Sequence, residues 1–162
     1  MINVNMKSKH QMTDSKIINE YIHGGKGVVC LEAPSGKCHY YMFQRPYNSE
    51  AFPYDIIFIY AVHDFTKKFY IGKIEKGQFR MTSRSRFHPS TEIVKGAKFI
   101  VRMAHYQQLV DNTPMKLYHM GICARCGRPL TDSKCIELGF GKRCRKNLES
   151  DKEKGNAAEE GV

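Results

Sequence analysis

The sequence predicts an α+β fold, mainly an antiparallel β-sheet with a short N-terminal helix and a cysteine-rich C-terminal module. Three observations carry this. Between residues 27 and 82, runs rich in Val, Ile, Phe and Tyr alternate with short turn signals. Near the N-terminus, Ile17, Ile18, Tyr21 and Ile22 recur at helical spacing. Near the C-terminus, four of the six cysteines fall between Cys123 and Cys144.

The elements follow in order. Residues 1–12 are polar and read as a flexible tail. Thr13 or Asp14 can cap the first helix, and Gly24-Gly25 can end it. At about three turns it is stable only if it packs on something. From Gly27, Val28-Val29-Cys30-Leu31 and His39-Tyr40-Tyr41-Met42-Phe43 flank the turn Ala33-Pro34-Ser35-Gly36, the pattern of a β-hairpin. Arg45-Pro46 to Pro53 reads as a loop. The run from Asp55 to Val62 is the most apolar and predicts a central strand. His63-Asp64-Phe65-Thr66 then turns the chain into Lys67–Ile74, and Glu75-Lys76-Gly77 joins that strand to Gln78–Thr82, a three-stranded meander in a sheet of about five strands. Ser83 to Thr91 is a basic, polar loop. Glu92 to Gln107 supports two readings: Val94, Ala97, Ile100, Val101 and Ala104 have helical spacing, while Gly96 and Phe99-Ile100-Val101 allow a strand. Asn112-Thr113-Pro114 marks a boundary. The expected organisation is an α+β domain over 13–110, a cysteine module over 117–148, and a second flexible tail over 151–162, which is rich in Glu, Lys and Gly.

Composition narrows the class of protein. The 162 residues suit one main domain plus a small module, and 41% hydrophobic residues supply a core built without Trp. No apolar run reaches the roughly 18 residues of a membrane span, and the polar N-terminus has no secretory character. An intracellular, reducing location is therefore expected, where cysteines are more often metal ligands than disulfides. The net charge is +10. Residues 65–106 hold ten Lys or Arg against two acids, a net of +8, and residues 121–150 hold seven against three, a net of +4. Localised positive charge of this kind points to a polyanionic partner.

The cysteine spacing is C-x2-C-x8-C-x8-C. A C-x2-C pair followed by Gly127 is a zinc knuckle: one tight turn aims both sulfurs at one ion, and glycine relieves crowding where backbone amides approach the thiolates. Cys123, Cys126 and Cys144 are the firm candidate ligands for Zn2+, and Cys144 opens a short helix directed towards Leu148. By cysteine counting alone, the fourth ligand is Cys135. A closed four-ligand site is structural, since it leaves no position for a reactive water.

Cys-Ala-Arg-Cys-Gly-Arg-Pro-Leu-Thr-Asp, followed by Ile136, Gly139-Phe140-Gly141 and Cys144, resembles a short zinc-finger-like module of unknown function found in bacteriophage and prophage proteins, with the pattern H-x3-C-x2-C-G-R-x-L-T-x-P-x-S-I-x-x-G-x-G-P-x-C. The match runs from about His119 to Lys146. Two proline positions of the pattern are Ser133 and Lys142 in this chain, and its serine position is Cys135. The resemblance implies that His119 is the fourth ligand and Cys135 a passenger thiol. It also implies the cytoplasm of a bacterial host as the place of action.

Candidate binding residues for nucleic acid or a protein partner fall in two groups. Lys67, Lys68, Arg80, Arg84 and Arg86 are interleaved with Phe69, Tyr70, Phe79 and Phe87, as in proteins that hold single strands; the bland reading is that sheet aromatics are core. Arg125, Arg128, Lys142, Arg143, Arg145 and Lys146 surround the metal module. The leading expectation is a small zinc-binding phage or prophage accessory protein that binds nucleic acid. The alternative is a protein-binding inhibitor of a host machine or nucleoprotein complex, such as RNA polymerase or a defence nuclease in the manner of an anti-CRISPR. No enzyme is expected: His63-Asp64 lacks an accompanying nucleophile motif, and Gly24-Gly25-Lys26-Gly27 lacks the spacing of a phosphate-binding loop.

Overall fold

One antiparallel sheet, in the order β1 (His10–Gln11), β7 (Lys116–His119), β2 (Lys26–Glu32), β3 (Cys38–Gln44), β4 (Ile57–His63), β5 (Lys67–Glu75) and β6 (Gln78–Arg80), organises the computed structural model, which describes residues 9–46, 56–63 and 66–147. The expected tails at 1–8 and 151–162, the loop over 47–53, Asp55, the turn residues Asp64 and Phe65, and Leu148 lie outside the described residues. The α+β class holds, with a short N-terminal helix and cysteines gathered at the C-terminal end of the sheet segment.

Strands β2 (Lys26–Glu32) and β3 (Cys38–Gln44) form the expected hairpin. Gly36 takes φ +88° in its turn, where the Gly36 N–H donates to the Ala33 carbonyl at 2.8 Å. Strands β4 (Ile57–His63), β5 (Lys67–Glu75) and β6 (Gln78–Arg80) form the meander. Between β5 and β6, Lys76 and Gly77 both have positive φ, as a two-residue turn matched to sheet twist requires.

Two strands were not expected. Strand β1 (His10–Gln11) pairs with β7 (Lys116–His119), and β7 pairs with β2 over Val29–Glu32. The flexible tail expected over residues 1–12 is thus corrected at its end: His10 faces His119, and Met12 is buried and donates its N–H to Leu117. Two polar residues show no periodicity to read, and their partner lies far along the chain. The expected division near 110–117 falls at the start of β7. Strand β7 lies inside the sheet, so the cysteine segment grows directly from it, and Cys123, Ala124 and Phe140 belong to the main hydrophobic core.

Helix α1 (Ser15–Ile22) is capped by Asp14, whose carboxylate accepts from the N–H groups of Lys16 and Ile17. Residues 92–107 resolve in favour of a helix. Helix α2 (Glu92–Met103) is capped by Thr91 and followed by α3 (Gln107–Asn112). The Gly96 that weakens the helical reading is there for space: a Cβ on it would collide with the Tyr41 hydroxyl, which donates to the Ile93 carbonyl at 2.8 Å. α1 and α2 cover one face of the sheet. Ile18, Tyr21, Ile22, Val94, Ala97 and Ile100 meet Leu31, Tyr41, Phe43, Ile57, Ile59 and Ile71 in the main core.

Candidate metal centre

The knuckle begins where β7 leaves the sheet. The Cys123 N–H donates to the Arg128 carbonyl at 2.8 Å, and the Gly127 N–H to the Cys123 carbonyl at 2.9 Å. Gly127 completes that reversal at φ +75°, a conformation that costs glycine little. The Tyr21 hydroxyl donates to the Ile122 carbonyl at 3.0 Å, and the Lys26 N–H donates to the Ala124 carbonyl at 2.6 Å. Helix α1 and the start of β2 therefore hold the loop in place. Helix α4 (Ser133–Leu138) follows, and residues 142–147 are helical, as expected around Cys144.

The sulfurs of Cys123, Cys126 and Cys144 lie within 4.8 Å of one another. Thiolates bound to one zinc at about 2.3 Å stand roughly 3.8 Å apart, so the three occupy positions that one ion can bridge. Burial opposes ionisation of Cys123, but the backbone N–H groups of Gly141, Cys126 and Arg125 and the Cys126 thiol hold its pKa below the usual thiol value. The Gly141 N–H lies 3.3 Å from that sulfur. Cys144 behaves oppositely: burial, then the thiols of Cys126 and Cys123, push it up to about 12. One thiolate is thus favoured while Cys144 resists ionising beside it, a conflict that a divalent cation removes. Among the described residues this is the only such group of His, Cys, Asp or Glu.

Neither residue expected as the fourth ligand, His119 or Cys135, joins the three-sulfur group. His119 is 1% exposed and has both ring nitrogens engaged. Its Nδ1 accepts from the Gly121 N–H at 3.1 Å, so Nε2 carries the proton and donates to the Ile136 carbonyl at 2.6 Å. It stacks between His10 and Tyr21. Burial pushes its pKa down to about 4, with His10 adding to the effect against the pull of the Ile136 carbonyl. His119 is here a neutral, hydrogen-bonded core residue. Cys135 sits in the first turn of α4, half-buried and outside the three-sulfur group. Sequence spacing brings both residues near the cysteines but cannot tell which atoms already have partners.

The basic candidates separate. Lys67 and Lys68 at the start of β5, Arg80 in β6, and Arg84 and Arg86 just beyond are exposed at one side of the sheet. Arg128, Lys142, Arg143 and Lys146 are exposed around the knuckle, which follows β7 on the other side; Arg125 and Arg145 are half-buried. Of the interleaved aromatics, Phe79 and Phe87 pack on the core and Phe69 pairs with the core residue Ala61. Only Tyr70 of the four lies on the sheet face opposite α1 and α2, beside Tyr60. Its companions there, Phe58 and Tyr60, were missed, although their alternation with Ile57 and Ile59 was readable.

Residues 118–149 match the model of a family of unknown function (DUF6011). No curated protein and no solved structure matches the chain. The match covers the cysteine segment alone, and with the three-sulfur cluster it fits a zinc-finger-like module. No helix among the described residues is long and apolar enough to cross a membrane.

Proposed function

We propose that this chain is a zinc-binding accessory protein that holds nucleic acid on its basic surfaces, with the zinc serving the fold rather than catalysis. The convergence of Cys123, Cys126 and Cys144 within 4.8 Å carries the metal reading. Soft thiolates in a tight turn select zinc over harder cations. The ion would pin residues 142–147 against the knuckle, so that exposed Arg128, Lys142, Arg143 and Lys146 are presented from a fixed frame. The net charge of +10 supports a polyanionic partner. The resemblance to phage and prophage modules supports the accessory role.

Metal analysis of the purified protein tests the first part, with one zinc per chain expected. A metal-free protein that melts at the same temperature with and without added zinc would overturn it. Titration with nucleic acid between 50 and 200 mM salt tests the second. Affinity should fall steeply, because phosphate contacts release counterions. Affinity indifferent to salt would overturn the nucleic-acid reading.

A further inference from the structure

The sheet has a second face, opposite α1 and α2. Its buried residues, Val28, Cys30, Met120 and Ile122, and the side chains packed on them come from strands and the segment after β7, and from no helix among the described residues. Strand register lays two rows of side chains across it. Val28, Met42, Tyr60 and Tyr70 form one, and Gln44, Phe58, Lys73 and Arg80 the other. Phe58 and Tyr60 point here because Ile57, Ile59 and Ala61 take the opposite side of β4 into the core.

The rings of Phe58 and Tyr60 each stand edge-to-face with Tyr70, at centroid distances of 5.8 Å. Together with Lys73, Thr82 and Arg84 they line a hollow of about 390 Å³. Cations border it. The ammonium of Lys68 lies 4.6 Å from the centre of the Tyr60 ring and donates to Gln44 at 2.6 Å. Arg80 and Arg84 are exposed. Lys73 is paired with Glu75 at 2.7 Å, so it adds less charge than the others.

We propose that this hollow is a base-stacking subsite for single-stranded nucleic acid, with Phe58, Tyr60 and Tyr70 meeting the base and Lys68, Arg80 and Arg84 meeting the phosphates on either side. The proposal rests on the reading that the chain binds nucleic acid, and it specifies which kind and where. Aromatic rings reach a base only when its face is free, which a duplex denies and a single strand offers. The same rings without cations would suit any apolar group; the cations select a partner carrying phosphate beside each π-face. The ammonium over Tyr60 already shows that ring receiving a π-directed contact. A base takes that place as Lys68 turns to the adjacent phosphate.

The test is a titration of the full chain with fluorescein-labelled oligo(dT), oligo(U) and a duplex, followed by anisotropy at several salt concentrations. Single strands of one or both kinds should bind more tightly than the duplex. Tyr60→Leu and Phe58→Leu should each weaken single-strand binding by about 5- to 100-fold with an unchanged salt slope. Tyr60→Phe, which keeps the ring, should bind like the parent. Arg84→Gln should lower the salt slope by about one. Melting curves establish that each variant is folded. If both leucine variants bind like the parent while Arg84→Gln binds more weakly, the stacking subsite is overturned and the nucleic-acid reading stands. A preference for duplex overturns the subsite as well. A parent chain that binds none of the three at low salt overturns both.

Discussion

His119 stacks on Tyr21 with ring centroids 5.3 Å apart and 27° between their planes. Each ring also donates into the cysteine segment, Tyr21 to the Ile122 carbonyl and His119 to that of Ile136. The pair ties α1, β7 and α4 together, and it makes stability sensitive to pH. The folded His119 has a pKa near 4 against 6.5 for the free side chain. Above pH 6.5 both states are neutral at this residue and its contribution is complete. As pH falls from 6.5 towards 4, the unfolded chain takes up a proton that folded His119 refuses, and stability drops by about 3 kcal/mol at most. Melting temperatures of the parent should therefore fall through this window. In His119→Phe the fall should be shallower, and equal slopes for the two proteins would refute the assignment.

The cysteines divide into two sets with different expected behaviour. Cys123→Ser, Cys126→Ser and Cys144→Ser should each lose bound zinc and about 3–4 kcal/mol of stability, the contribution expected when free zinc exceeds its dissociation constant by roughly several hundred-fold. Cys30→Ser should retain the metal, since Cys30 lies in the separate cluster with Val28 and Met120 on the sheet face opposite α1 and α2. Elemental analysis after dialysis, combined with thermal melts, reads both effects.

His119 and Cys135 provide a sharper check on the ligand set. His119→Phe keeps a ring against Tyr21 but orphans the Gly121 N–H and the Ile136 carbonyl. It should cost about 1–3 kcal/mol and leave zinc stoichiometry unchanged. Cys135→Ser should also keep the zinc, because its sulfur lies outside the group of three. Loss of zinc from a folded form of either variant would assign that residue as the fourth ligand.

Much of this architecture was legible because it rests on local patterning. The apolar runs of β2 to β5, the Lys76-Gly77 turn and the Asp14 cap each announce themselves within a few residues. Strands β1 and β7 did not, since His10–Gln11 is too short and polar to show a period and acquires its conformation only by pairing with β7. At the candidate metal centre, spacing singled out the three cysteines that the fold brings together, Cys123, Cys126 and Cys144, since a tight turn and a helix start are local devices. It could not show the surroundings of His119, because a histidine four residues before a knuckle has the same spacing whether its nitrogens face a metal or, as here, Gly121 and Ile136. The sheet face opposite the helices was half legible: alternation along β4 separates Phe58 and Tyr60 from the isoleucines, but only the register with β5 sets them beside Tyr70.

Gly96 offers a test of how closely α2 is seated on the sheet. In an exposed helix, replacing glycine by alanine stabilises by about 1 kcal/mol. Here the new Cβ would strike the Tyr41 hydroxyl and come within 3.4 Å of Leu31 Cδ2. Both Tyr41 and Leu31 are buried in the core, and the Tyr41 hydroxyl is tied to the Ile93 carbonyl. Gly96→Ala should therefore destabilise, by about 1–3 kcal/mol, against its helix propensity. Tyr41→Phe alone should cost about 1 kcal/mol through the lost hydrogen bond to Ile93. It also removes the oxygen that the Gly96→Ala methyl would meet. The double variant should accordingly be more stable than the sum of the two single effects, by about 0.5–2 kcal/mol. Urea midpoints for the four proteins of this cycle measure the coupling. Strict additivity would mean that α2 moves away from the sheet to relieve the contact, and that the approach of helix to sheet is not held by Tyr41.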